Sequence, residues 1–97
     1  MSDSITAKEL KKLIPQAHII DIRENHKFNI GSIPTSVNIP ATFLIMNAEH
    51  YLNQNDIYYI YCDSGHQSKN ICNKLINMGY KAINIIGGYN EYKKLKY

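Results

Sequence analysis

The sequence predicts an α/β layered domain built around a parallel β-sheet. Helix-like and strand-like segments alternate along the chain, the pattern of an α/β layer architecture. Ile57-Tyr58-Tyr59-Ile60-Tyr61 is apolar at every position rather than every second one, as a strand buried on both faces requires. That strand, the amphipathic stretch 67–78 and Ala82-Ile83-Asn84-Ile85-Ile86 form a βαβ unit. Its strands should run parallel, with a right-handed crossover.

The elements follow in order. Ile5 fits a very short edge strand. Thr6-Ala7-Lys8-Glu9 reads as a capping box, with Thr6 as N-cap and Glu9 three residues on. Ala7, Leu10, Leu13 and Ile14 then share one helical face, and Pro15 is expected to end the helix. His18-Ile19-Ile20-Asp21-Ile22 is a β-branched run and a strand. Residues 23–30 hold one or two helical turns, stopped at Gly31. Pro34 opens a short extended piece, Val37-Asn38-Ile39, which Pro40 ends. Residues 41–52 carry a broken apolar helical pattern through Phe43, Leu44 and Tyr51. Tyr58, Tyr59 and Tyr61 are expected in the sheet core and its rim. In the helix at 67–78, Ile71, Cys72, Leu75, Ile76 and Met78 make the apolar stripe, while Lys69, Asn70, Asn73, Lys74 and Asn77 face water. Gly79 stands where a left-handed cap belongs, with Tyr80 to make the accompanying contact. Gly87-Gly88 turns the chain, and Tyr89, Tyr92 and Leu95 form the inner face of a final helix.

With 97 residues, the sequence is read as one domain over 1–97. The net charge is +3, and the lysines are scattered apart from Lys93, Lys94 and Lys96. That basic excess is too thin for a nucleic-acid face. No run approaches the about 18 apolar residues of a membrane span. Met1-Ser2-Asp3-Ser4 is polar and has no apolar signal core, and two cysteines are too few for a disulfide framework. The expected setting is a reducing cytoplasm, with no membrane or nucleic-acid partner.

Chemistry is expected at Cys62, the first residue after the most buried strand. Ligands of open parallel sheets bind outside the carboxyl ends of the strands. The loop Asp63-Ser64-Gly65 leads into a helix N-terminus, whose free N–H groups and dipole favour an anion and hence a thiolate. Position alone leaves open a second reading, that of a buried strand-end cysteine with no chemistry.

The run Cys62-Asp63-Ser64-Gly65-His66-Gln67-Ser68 resembles the active-site loop of the rhodanese (sulfurtransferase) family, a Cys-x-x-Gly-x-Arg-Ser pattern. Ile19-Ile20-Asp21-Ile22-Arg23-Glu24 resembles that family's Asp-x-Arg segment. Gly31-Ser32-Ile33-Pro34 through Asn38-Ile39-Pro40 resembles its Gly-His-Ile-x-Gly-Ala-x-Asn-Ile-Pro segment. Met78-Gly79-Tyr80, with Gly87-Gly88-Tyr89 and Tyr92, resembles its closing segments. The four pieces occur in family order and cover nearly the whole chain. The resemblance implies a three-layer sandwich with a five-stranded, mostly parallel sheet flanked by helices. It also implies that Cys62 takes sulfane sulfur from thiosulfate or a persulfide and hands it, as a persulfide, to a thiol or cyanide-like acceptor. No metal or organic cofactor is implied, and a monomer is expected. Asp63, Ser64, Gly65, His66, Gln67 and Ser68 would form the substrate-binding loop.

Loop length separates this chemistry from that of the related phosphatases and arsenate reductases. Those follow Cys-x5-Arg and would need an arginine at position 68, where this chain has Ser68. Other positions depart from the sulfurtransferase pattern. Gln67 stands in place of the usual arginine. It offers donors without charge, which implies weak thiosulfate binding. Ser64 and Gln67 also fit a capping box. Ser32 replaces a histidine, Thr35-Ser36 replace Gly-Ala, and Tyr92 replaces a tryptophan.

Asp21 and Arg23 are expected as a structural brace rather than as ligand contacts. Cys72 lies on the apolar helix stripe and is expected to pack rather than to resolve a Cys62 persulfide. His50, Cys62, His66 and Cys72 fit no standard zinc spacing. The leading reading is a cytoplasmic sulfurtransferase; its rival is a catalytically weak binding or regulatory module of the same fold.

Overall fold

The computed structural model describes residues 3–95; Met1, Ser2 and Tyr97 lie outside that range, as does Lys96 of the lysine cluster. In chain order the elements are β1 (Asp3–Thr6), α1 (Ala7–Lys11), β2 (His18–Asp21), α2 (Asn25–Ile30), β3 (Val37–Asn38), α3 (Ala41–Met46), α4 (Ala48–Tyr51), β4 (Ile57–Tyr61), α5 (His66–Asn77), β5 (Lys81–Ile86) and α6 (Gly88–Tyr92). The five strands form one sheet in the order β1-β5-β4-β2-β3. Every pairing is parallel, so the sheet is wholly rather than mostly parallel.

β4 sits at the centre and its side chains divide between two cores. Tyr58 and Ile60 pack with Leu44 of α3, Ala48 of α4, and Ile71, Cys72 and Leu75 of α5. Tyr61, with Tyr59 beside it, packs with Ala7 and Leu10 of α1 and Tyr92 of α6. Both faces of the strand are therefore covered, which is why its sequence does not alternate. Only Ile57, at its start, is exposed.

Helix ends follow local chemistry. Thr6 and Glu9 close the expected capping box: Glu9 N–H donates to Thr6 Oγ1 at 3.1 Å, and Thr6 N–H donates to Glu9 Oε1 at 2.9 Å. Periodicity places Leu13 on the buried face, but α1 ends at Lys11, well before Pro15, and Leu13 is exposed. The chain tightens instead into three-residue turns, with Leu13 N–H donating to Leu10 O at 2.8 Å. At the far end of α5, Tyr80 N–H donates to Leu75 O and Gly79 N–H to Ile76 O, both at 3.0 Å. With Gly79 at φ 99°, this is the Schellman arrangement.

The stretch 41–52 forms two short helices broken at Asn47 (φ −133°, ψ 35°). The Asn47 side chain donates to Phe43 O at 3.1 Å, a local bond that competes with helix propagation. Leu44, Ala48 and Leu52 point inward, whereas Phe43 and Tyr51 are exposed. In the final helix Tyr92 is buried, and Leu95 packs on the same core from beyond the helix end.

Candidate active site

Cys62 directly follows β4 and is only 3% exposed. Its Sγ accepts the N–H of Gly65 at 3.2 Å and the N–H of Ser68 at 3.3 Å. It also lies 3.3 Å from Ser68 Oγ, to which the thiol donates. α5 has Gly65 as N-cap at φ 94°, with no side-chain capping bond. The Ser64–Gln67 capping box is thus not formed. Ser64 Oγ bonds His66 Nδ1 instead, at 3.0 Å. First-turn amides that a side chain would cap elsewhere are turned on the sulfur, the arrangement that favours negative charge there.

Behind the sulfur lies a buried polar chain absent from the sequence-based expectations. Ser68 Oγ donates to Asn84 Oδ1 at 2.5 Å, and Asn84 Nδ2 donates to Gly65 O at 3.3 Å. Asn84 sits on β5, is 3% exposed, and pairs in the ladder with Ile60 of β4. Its signal was a lone amide inside an apolar strand, which reads just as well as a solvent-facing residue.

On the other side, Asp63 meets two cations. Lys27 of α2 donates to Asp63 Oδ2 at 2.7 Å, and Arg23 Nη1 reaches Asp63 Oδ1 at 3.5 Å. The Lys27 hydrogen bond, with the charges of Lys27 and Arg23 beside it, holds the Asp63 carboxyl below its usual range. Lys27 was not singled out from sequence, because only folding brings it to a residue 36 positions away. Arg23 itself is buried. Its Nε and Nη2 bond both oxygens of Asp21, its Nη2 bonds Gly31 O at 2.7 Å, and its guanidinium lies 4.4 Å from the Tyr89 ring centroid. Lys27, Asp63, Arg23 and Gln67 line one open cavity of about 290 Å³, closed by Pro40, Ala41 and Thr42 of the α3 entrance. Gln67 is exposed at this mouth; His66 is exposed too but does not line the cavity.

A family model for the rhodanese-like domain matches residues 6–95. The chain belongs to the rhodanese-like family. Among curated relatives, YtwF of Bacillus subtilis, provisionally named a sulfurtransferase, is 32% identical over 81 residues, 84% of this chain and 78% of YtwF. The Yarrowia lipolytica protein named adenylyltransferase and sulfurtransferase UBA4 is 34% identical over 92 residues, 93% of this chain but only 23% of that protein. The chain therefore spans under a quarter of the length of that multifunctional relative. The crystal structure of SSP1007 from Staphylococcus saprophyticus superimposes with a TM-score of 0.85 at 34% identity, covering 93% of this chain and 92% of that one.

Within this rhodanese-like fold Cys72 stands apart from the Cys62 loop. It is fully buried in the core shared by α5 and β4. Burial, with the nearby Cys62 adding a smaller push, raises its thiol to about 12. Both cysteines are free thiols. Brief treatment of the native protein with a small alkylating agent at neutral pH should therefore modify Cys62 alone. Both cysteines should react in urea, as mass spectrometry of the digested protein would show. Native labelling of Cys72 at a rate like that of Cys62 would contradict this assignment. Among the described residues, no cluster of histidine, cysteine and carboxylate side chains gathers in a metal-binding arrangement. None of the described helices is long and apolar enough to cross a membrane.

Proposed function

We propose that this rhodanese-like chain is a sulfurtransferase that carries sulfane sulfur as a persulfide on Cys62. The observation that carries the reading is the pair of backbone N–H groups, from Gly65 and Ser68, directed at Cys62 Sγ. Membership of a family whose members include proteins named sulfurtransferase supports it. In the first half-reaction the Cys62 thiolate attacks the outer sulfur of the donor. A new S–S bond forms and the donor's own bond to that sulfur breaks, releasing sulfite from thiosulfate or a thiolate from a persulfide. In the second, an acceptor thiolate or cyanide attacks the terminal sulfur of the Cys62 persulfide, and the Cys62 thiolate leaves. The loop amides favour the negative sulfur in both. The chain is read as one domain over residues 1–97, acting as a monomer in a reducing, cytoplasmic setting that keeps both cysteines as thiols.

The mouth favours a donor of low charge. Both cations that face it are engaged by Asp63, and Gln67 supplies no charge of its own. A small or protein-borne persulfide therefore suits the site better than the dianion thiosulfate. His66, Ser64 and Gln67 contact the donor at the rim, and Asp21 with Arg23 supports the loop from beneath.

Intact-mass spectrometry after incubation with a low-molecular-weight persulfide, and separately with thiosulfate, tests this reading. Wild type should gain one sulfur atom, more readily from the persulfide. Cys62→Ser should gain none, and cyanide should discharge the wild-type adduct. Folded, reduced protein that loads from neither donor would sink the transferase reading and favour the binding-module alternative.

A further inference from the structure

The hydrogen-bond chain behind Cys62 has a direction that chemistry alone fixes. Gly65 O is a carbonyl and can only accept, so the NH2 group of Asn84 must face it, as it does at 3.3 Å. That turns Asn84 Oδ1, which can only accept, towards Ser68 Oγ at 2.5 Å. The single proton of the Ser68 hydroxyl is thereby committed to Asn84. What Ser68 presents to Cys62 Sγ, 3.3 Å away, is a lone pair. All three side chains are buried, and no buried side-chain nitrogen or oxygen among the described residues lacks a partner.

From this geometry we infer that Asn84 is a positioning residue that sets the protonation preference of Cys62 through the Ser68 hydroxyl. The inference rests on Cys62 being the reacting sulfur. With the thiol present, S–H donates to Ser68 Oγ and every group in the chain is satisfied. When the thiol proton leaves to solvent, a thiolate needs donors. The Ser68 hydroxyl can turn its own proton from Asn84 to Sγ, but Asn84 Oδ1 is then a buried acceptor without a donor. A buried acceptor left unpaired is costly. Asn84 thus competes with a Cys62 thiolate for the Ser68 hydroxyl proton. Once Cys62 carries a persulfide, charge can move to the terminal sulfur and Sγ no longer needs the hydroxyl proton.

The other titratable groups around Cys62 cannot stand in for this device. Cys72, packed from α5, stays a neutral thiol up to about 12. Asp63 is bonded to Lys27 and Arg23, and His66 Nδ1 is bonded to Ser64 Oγ. Tyr61, just before Cys62, has its phenol pushed up by burial and stays neutral.

Alkylation of Cys62 by iodoacetamide across a pH series reads the sulfur itself, independently of any sulfur donor, so failure of the transferase reading would leave this result interpretable. Asn84→Leu frees the Ser68 proton for the thiolate. Gly65 O keeps the N–H of Lys69 at 3.2 Å, so the loop retains an anchor. Alkylation near neutral pH should rise on the order of tenfold, with the curve moved to lower pH. Ser68→Ala removes the hydroxyl and should move the curve the opposite way. Ser68→Ala combined with Asn84→Leu should behave as Ser68→Ala alone. If Asn84→Leu does not fold, judged by its circular dichroism, Asn84→Val serves in its place. Loosening of the loop by itself would shift all variants in one direction. That outcome, or a gain that survives in the double variant, would overturn the inference.

Discussion

Alanine in place of Gly88 should cost about 3 kcal/mol or more and abolish sulfur loading on Cys62 in whatever protein remains folded. Gly88 is the first residue of α6 and has φ 55°, in the left-handed region that costs a side-chain-bearing residue about 1–3 kcal/mol. A Cβ there would run into the carbonyl oxygen of Cys62 and stand 2.8 Å from that of Asp63. Both obstacles are backbone, and both oxygens are held by α6 itself: Tyr89 N–H donates to Cys62 O at 2.8 Å and Asn90 N–H to Asp63 O at 3.0 Å. The clash therefore cannot be relieved without moving the loop away from α6, which breaks these bonds and shifts Cys62. Against a total stability of roughly 5–15 kcal/mol, the loss should be plain in a urea titration. Gly79→Ala is the control. It has a similarly positive φ, 99°, but its Cβ would meet only the end of the Gln54 side chain, which can move. Its cost should stay near about 1 kcal/mol, with loading intact. Equal losses at the two glycines would mean that the close packing of α6 on the Cys62 loop contributes little.

What could be read in advance, and what could not, follows from how far each signal reaches along the chain. The β4–α5–β5 unit was legible because its pattern is local and redundant: a strand apolar at every position, an amphipathic helix, and Gly79 at the cap. The position of Cys62 at a strand end before a helix was legible for the same reason. Helix ends were less so. Leu13 and Ile14 continue the period of α1, but tight turns end it at Lys11. In 41–52 several apolar phases compete, and burial chose Leu44, Ala48 and Leu52 over Phe43 and Tyr51. The Ser64–Gln67 capping box does not form because α5 starts one residue later than that box requires, with Gly65 as N-cap, and Ser64 Oγ bonds His66 Nδ1 instead. Asn84 and Lys27 escaped notice because their partners are remote in sequence, and neither belongs to a spacing pattern that a helix or strand would repeat.

Removing the Asp21 carboxylate should be the other severe lesion, since it strands a charge. Asp21 is fully buried and Arg23 nearly so, and their shortest contact is 2.7 Å. Asp21 Oδ1 also accepts the backbone N–H of Arg23 at 2.8 Å, closing the turn out of β2. In Asp21→Leu the guanidinium keeps Gly31 O, the Tyr89 ring and a 3.5 Å contact with Asp63, but loses its neutralising partner. Breaking one side of such a pair costs about 3–5 kcal/mol. Arg23→Leu should cost a comparable amount, because it leaves a carboxylate in the core. The double variant removes both charges together. It should therefore be more stable than the sum of the single losses allows, by about 2 kcal/mol or more. It will not return to wild type, because in it the N–H of residue 23 loses Asp21 Oδ1 and Gly31 O loses Arg23 Nη2. Urea unfolding of the four proteins closes the cycle. Additive losses would mean that the two residues act separately and that Arg23 stands mainly on its carbonyl and aromatic contacts. A large coupling would make the pair one unit. Through the reach of Arg23 to Asp63, that unit would tie the end of β2 to the residue beside Cys62, so loading should fall in both single variants even where they stay folded.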